Sequence, residues 1–110
     1  MSAPSVRQSE RHHTYADYCS WPDTGRWEII DGVVYDMSPA PAPRHQEVLG
    51  EIFRQIANQL DGHPCKAYLA PFDVRLPDGH EVDDDIRTVV QPDLSVICDP
   101  SKIDAKGCRG

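Results

Sequence analysis

The feature that most constrains the fold is one long amphipathic segment between two helix-breaking signals. From Arg44 to Leu60 the apolar residues recur every three or four positions, which places them along one side of an α-helix. Asp61-Gly62 then ends the segment, because glycine readily adopts the left-handed conformation that closes a helix. A lone helix with one apolar side cannot form a core by itself, so we expect it to pack on a β-sheet.

The residues around this helix are typical of short strands. Residues 27–31 and 33–37 flank Asp31-Gly32, which favours a tight hairpin turn. Residues 65–70 and 72–76 are strand candidates separated by Pro71. Residues 93–98 are the most apolar of these runs, which predicts that they lie in the middle of the sheet. These elements predict an α/β (α+β) domain with one mixed sheet.

The remaining segments predict a short helix and several connections. Thr14, with Asp17 three residues later, forms a capping-box pattern, so a helix is expected over residues 14–20, before Pro22. Residues 38–43 read SPAPAP and predict a stiff extended connector that is neither helix nor central strand. Residues 79–91 are polar and acidic, and residues 101–110 are polar with no closing element. Residues 1–13 predict a disordered tail, which leaves 14–110 as the folded part.

Composition narrows the class of protein. The chain has 110 residues, which suits one small domain, and its formal net charge is −7. An acidic chain repels phosphate backbones, so a nucleic-acid-coating protein is disfavoured and any DNA contact must be local. The candidates for such a contact are Arg44, Arg54, Arg75 and Arg87. No apolar run is long enough to span a membrane, and the polar N-terminus has no signal sequence, so we expect a cytoplasmic protein.

The cysteines and histidines do not predict a zinc site. Cys19, Cys65, Cys98 and Cys108 contain no C-x-x-C pair, which structural zinc sites normally show. In a cytoplasmic protein we expect reduced thiols, with Cys65 and Cys98 as small core residues. Four of the five histidines, His12, His13, His63 and His80, have unsuitable spacing for a tetrahedral site.

Three residues are candidates for chemistry. Asp93 follows a proline and opens an apolar strand, where a carboxylate can hold a metal or simply mark a strand boundary. Glu28 shares a strand face with Ile30, so it is either a solvated edge residue or a buried carboxylate that needs a partner or a metal. His45 lies at the start of the long helix, where it can contact a phosphate or water or serve only in the helix start. Residues 83–85 lack the spacing of a calcium loop and predict a solvated acidic loop.

An ordered set of strings carries a resemblance to a known family. The set consists of TYADY, RWEIIDGVVYDMSPAPAPRHQEVLGEIFRQIANQL, APFDVRLPDG and VVQPDLSVICDPSKIDAKGCRG. In this order the strings resemble the Uma-type restriction endonucleases of the PD-(D/E)XK nuclease superfamily, from about Thr14 to Gly110. The resemblance implies a restriction-endonuclease-like fold, with a mixed central sheet flanked by helices.

The resemblance also implies Mg²⁺-dependent hydrolysis of DNA phosphodiester bonds. It implies that Asp93 is the first metal ligand, that Glu28 lines the same cleft as a catalytic or metal-binding acid, and that His45 is the histidine that opens the long helix. The family pattern continues with a second acidic strand and a helix that carries a lysine. Lys102 and Lys106 do not stand in that context. We therefore expect this chain to be the N-terminal part of a nuclease domain.

A second hypothesis follows from that expectation. A chain without the second acid would be a non-catalytic remnant that associates, as a homodimer or with a partner, through an open sheet edge. The two hypotheses differ in whether the chain cleaves DNA.

Overall fold

The computed structural model describes residues 5–6, 12–22, 26–37 and 42–110. It contains two α-helices, α1 (Tyr15–Cys19) and α2 (Pro43–Leu60), and two 3₁₀ turns at Asp83–Asp85 and Pro100–Lys102. The strands are β1 (Ser5–Val6), β2 (Trp27–Ile30), β3 (Val33–Asp36), β4 (Lys66–Leu69), β5 (Asp73–Arg75), β6 (Val89–Val90), β7 (Leu94–Ile97), β8 (Ile103–Asp104) and β9 (Gly107–Arg109).

The strands form two sheets, and the predicted α+β class is confirmed. The larger sheet has the order β1-β3-β2-β6-β5-β9-β8, with β5 and β9 parallel and all other neighbours antiparallel. The predicted mixed sheet is therefore present. The smaller sheet consists of β4 and β7, which pair antiparallel. Most of the tail at residues 1–13 lies outside the described residues, although Ser5–Val6 pairs with β3.

The predicted position of β7 is wrong. Within the described residues β7 pairs only with β4, so it is an edge strand of the small sheet and not the centre of the large one. Val96 is among the exposed apolar side chains of the chain. The apolar, β-branched residues of β7 give it a high strand propensity. Propensity alone does not determine how many neighbouring strands it has.

The C-terminal residues also differ from the prediction, because they contain a closing element. Strands β8 and β9 form a hairpin, and β9 joins the large sheet beside β5. Gly107 makes this possible, since it has a φ of 144° and a side chain there would collide with the backbone carbonyl oxygen of Asp73. The approach of β9 to β5 thus depends on a missing side chain, which a hydrophobic pattern does not reveal.

The helices and the first hairpin follow local signals. The backbone N–H of Thr14 donates to Oδ2 of Asp17 at 3.1 Å, which is the reciprocal half of the predicted capping box. Asp31 and Gly32 both have positive φ, as a tight hairpin turn requires. One detail is corrected: Pro43 is the first residue of α2, where the N–H it lacks would have no helical partner. The rest of the predicted connector, residues 38–41, lies outside the described residues.

Helix α2 packs on β4, so the prediction of a helix on a sheet is confirmed. Its apolar side is only partly covered, because none of its residues is fully buried and Val48 and Ile52 remain 42% and 46% exposed. No helix in the described part of the chain is long and apolar enough to cross a membrane.

The buried core lies instead between α1 and the larger sheet. Arg75 is buried there with Cys108, and it donates to Oδ2 of Asp104 at 2.6 Å and to Oδ2 of Asp83 at 3.2 Å. The acidic turn at 83–85 is therefore not only a solvated loop, because Asp83 pairs with two arginines. Arg75 is also excluded as a DNA contact by its burial. The buried apolar residues are Tyr15, Ile29, Val34, Ile86, Val89 and Cys108.

The cysteines correct another prediction. Cys65 and Cys98 form a disulfide, and Cys98 is exposed rather than in the core. Pairing of Lys66 with Ile97 places the residue before β4 opposite the residue after β7, which brings the two sulfur atoms together. Cys108 is the buried free thiol, and Cys19 is exposed.

Candidate active site

A cleft of about 820 Å³ brings together residues from both sheets and both helices. Its size is within the range of roughly 300–1,000 Å³ that is typical of ligand pockets. The polar residues that line it include Tyr18, His45, Asp73, Gln91, Asp93 and Lys106.

Asp93 lies in this cleft immediately before β7. Its backbone carbonyl accepts a hydrogen bond from the N–H of Ala70 at 3.2 Å, which ties the start of β7 to the end of β4. Its side chain is 35% exposed, and Oδ2 lies 3.0 Å from Nε2 of His45. The other oxygen, Oδ1, has no hydrogen-bond partner among the described residues. Asp93 therefore presents one carboxylate oxygen to the cleft.

His45 is held by the first turn of α2, opposite Asp93. Its Nε2 forms a hydrogen bond of 3.0 Å with Oδ2 of Asp93, while Nδ1 is buried without a hydrogen-bond partner in the described part of the chain. The start of α2 thus fixes the direction of the Asp93 side chain through one hydrogen bond. The two residues are 48 positions apart in sequence, and the fold brings them together.

Glu28 occupies a different place. It is not among the residues that line the cleft, and its Oε2 accepts the backbone N–H of Gln91 at 2.7 Å. Gln91 lies two residues before Asp93. Glu28 therefore lies outside the cleft and holds the backbone of the segment that carries Asp93.

Three polar residues of the site, Tyr18, Asp73 and Gln91, were not singled out in the sequence interpretation. The Tyr18 hydroxyl donates to Oδ1 of Asp73 at 2.7 Å, and Nε2 of Gln91 donates to the same oxygen at 3.0 Å and to the Tyr18 oxygen at 2.6 Å. Burial, followed by the hydrogen bond and charge of Asp73, raises the pKa of Tyr18 above its ordinary range, so the hydroxyl stays protonated as a donor.

A signal for Asp73 was available. Asp73 opens β5 two residues after Pro71, much as Asp93 stands at the start of β7 directly after Pro92. The same argument that selected Asp93 would have selected Asp73. No comparable pattern points to Tyr18 or Gln91, because their roles depend on contacts between distant segments.

The described residues do not form a complete metal site. No group of three or more His, Cys, Asp or Glu side chains in this part of the chain is arranged to hold a metal ion. Asp93 fits as a single ligand, because Mg²⁺ is commonly bound by one or two carboxylates together with substrate phosphates and water.

Comparison with known proteins gives one family. The model of the Uma2 family, which is described as "Putative restriction endonuclease", matches residues 14–109, which is most of the chain. No curated protein matches the chain.

Proposed function

The chain belongs to the Uma2 family, and we propose that its cleft takes part in Mg²⁺-dependent hydrolysis of DNA phosphodiester bonds, with Asp93 as a metal-binding carboxylate. The observation that supports this most strongly is the pair of Asp93 and His45 in the cleft. In this pair one oxygen of the Asp93 side chain has no hydrogen-bond partner among the described residues, and His45 holds the orientation of that side chain.

Metal chemistry suits the reaction that the family description names. A bound divalent ion offsets the negative charge of a phosphodiester and lowers the pKa of coordinated water, which makes hydroxide available near neutral pH. Asp93 supplies one carboxylate for such an ion, and the substrate phosphate would supply further oxygen ligands.

The chain's own residues orient and position the groups of the cleft. His45 holds the Asp93 carboxylate by one hydrogen bond, and Glu28 holds the backbone two residues upstream. Lys106 lines the same cleft and adds a cation that can attract a phosphate. We propose that these residues fix Asp93 and attract the substrate.

Metal removal tests the proposed reaction. We expect the full chain to nick supercoiled plasmid in the presence of Mg²⁺, and we expect EDTA to abolish nicking and an excess of Mg²⁺ to restore it. The measurement is conversion of supercoiled to relaxed plasmid on a gel. Nicking that is equally fast in EDTA would contradict the metal role of Asp93.

A second candidate function is supported by the edge of β7. Within the described residues this strand has a neighbour on one side only, and the apolar side chains Val48 and Ile52 of α2 are exposed. An unpaired strand edge next to exposed apolar residues is suited to strand pairing with another chain. Absence of plasmid nicking together with a stable dimer in size-exclusion chromatography would support this non-catalytic module instead.

The role of Glu28 can be separated from that of a metal ligand. Glu28→Gln retains an oxygen that can accept the Gln91 N–H, whereas Glu28→Ala removes it. If Glu28 only positions residues 91–93, we expect the Gln variant to keep nicking within about threefold of wild type and the Ala variant to lose about tenfold, in keeping with the effect of outer-shell residues. Equal, severe losses in both variants would show that the charge itself is required, as for a ligand.

A further inference from the structure

The aromatic residues of the chain are concentrated in the cleft and not in the core. The chain has two tryptophans, four tyrosines and two phenylalanines. Both tryptophans, two tyrosines and one phenylalanine line the cleft, whereas Tyr15 is the one aromatic residue of the buried core among the described residues. The five cleft residues, Tyr18, Trp21, Trp27, Tyr68 and Phe72, are all partly exposed.

These rings form two groups. Trp21 contacts Tyr18 and Trp27, with ring centroids 5.7 Å apart in both pairs. Tyr68 and Phe72 stack nearly parallel, with centroids 4.7 Å apart and an angle of 7° between their planes. The two groups are far apart in sequence. One comes from the segment between α1 and β2 with both elements included, and the other comes from β4 and the residues that follow it. Both border the cavity that contains Asp93 and His45.

The cleft has too few cations to bind a duplex tightly through its backbone alone. Tight duplex binding requires several lysines or arginines that neutralise phosphates. Among the described residues that line the cleft, Arg26 and Lys106 are the lysines and arginines, and they are outnumbered by Asp73, Asp93 and Asp104. Binding energy for a nucleic acid must therefore come from another source, and aromatic rings provide one by stacking on unpaired bases.

From this placement we propose that the cleft binds unpaired nucleobases of single-stranded DNA, which stack on its aromatic side chains beside Asp93. The proposal rests on the proposed nuclease function and specifies its substrate class. A base that is splayed out of a strand carries its own phosphate with it, so stacking in the cleft brings the adjacent phosphodiester towards Asp93 and Lys106.

Intrinsic fluorescence tests this binding directly, because both tryptophans of the chain line the cleft. The full chain is titrated with a single-stranded thymidine oligonucleotide of 12 residues, and separately with a duplex of equal length, in EDTA so that nothing is cleaved. We expect quenching by the single strand with an affinity at least about tenfold higher than that of the duplex. We also expect a weak salt dependence, because two cations give a slope of about −1.4 at most in log K against log salt.

Variants that keep both tryptophans locate the site. Tyr68→Leu and Phe72→Leu each retain an apolar side chain but lose a stacking surface, so we expect affinity for the single strand to fall about fivefold or more in each. Tyr35→Leu is the matched control, since Tyr35 lies on β3 and does not line the cleft. Circular dichroism establishes whether each variant is folded. If one of the two leucine variants does not fold, the other still tests the proposal.

The outcomes separate this inference from the proposed nuclease function. Equal affinity for single strand and duplex, or unchanged affinity in both folded leucine variants, would overturn the stacking proposal. Mg²⁺-dependent nicking of plasmid by a protein that shows no preference for single strands would retain the nuclease function and reject the stacking proposal. Preferential binding of the single strand without cleavage of any DNA would instead retain the binding site and reject the nuclease.

Discussion

Asp93→Asn is expected to reduce Mg²⁺-dependent plasmid nicking at least about 100-fold, which corresponds to about 2.7 kcal/mol of lost transition-state stabilisation. Asparagine keeps the size of the side chain and an oxygen that can accept from Nε2 of His45, so the hydrogen bond between α2 and β7 can persist. The carboxylate charge is lost, and with it the affinity for a divalent ion. The change therefore separates metal binding from the structural role of Asp93.

The control for this variant is Asp84→Asn. Asp84 belongs to the acidic turn, is exposed and does not line the cleft with Asp93. The same change in charge at this position should leave the nicking rate within about twofold. Rates measured over a range of Mg²⁺ concentrations, with thermal unfolding of each variant, distinguish lost chemistry from lost folding. A fully active Asp93→Asn protein would remove Asp93 from the proposed site.

The sequence predicted best those elements of the fold that neighbouring residues determine. Helix α2 and the β2–β3 hairpin follow from periodicity and from Asp31-Gly32, because neighbouring residues determine both. Strands β6, β8 and β9 have only two or three residues each, which is too short for alternation to be visible. The parallel pairing of β5 with β9 depends on Gly107 and on partners more than 30 residues apart in the chain.

The same distinction applies to the site. Asp93 and His45 were singled out separately by their positions at element starts, but their hydrogen bond joins segments 48 residues apart and no sequence pattern reports it. Gln91 is a clearer case, since its backbone binds Glu28 while its side chain binds Tyr18 and Asp73. A residue whose importance consists of contacts with three distant segments has no local signature.

Arg75→Met is expected to lower the free energy of unfolding by about 3 kcal/mol. Arg75 is 1% exposed, and its guanidinium donates to Asp83, Asp104 and the carbonyl of Cys108. Methionine retains much of the volume but leaves Asp104 without its arginine partner and Asp83 with Arg109 alone. Because Asp83 and Asp104 are themselves partly exposed, water can solvate them, which keeps the loss near the lower end of the range for buried pairs.

The pH dependence of stability provides a second measurement on the same variant. The hydrogen bond and charge of Arg75 contribute to lowering the pKa of Asp104 below its ordinary value of 3.8. A carboxyl whose pKa is lowered in the folded state stabilises the protein above its unfolded-state pKa, and this contribution is lost as the pH falls through the folded-state pKa. We therefore expect wild type to lose more stability than Arg75→Met on acidification below about pH 4.

Arg87→Met is the matched control for both measurements. Arg87 also pairs with an aspartate, with Nη2 3.0 Å from Oδ2 of Asp78, but its side chain is 44% exposed. An exposed ion pair contributes little, so urea unfolding should show a change below about 1 kcal/mol. Equal losses in the two variants would mean that burial of Arg75 does not determine its contribution. A large loss confined to Arg75→Met would show that the buried arginine contributes much more to stability than an exposed arginine in a similar ion pair.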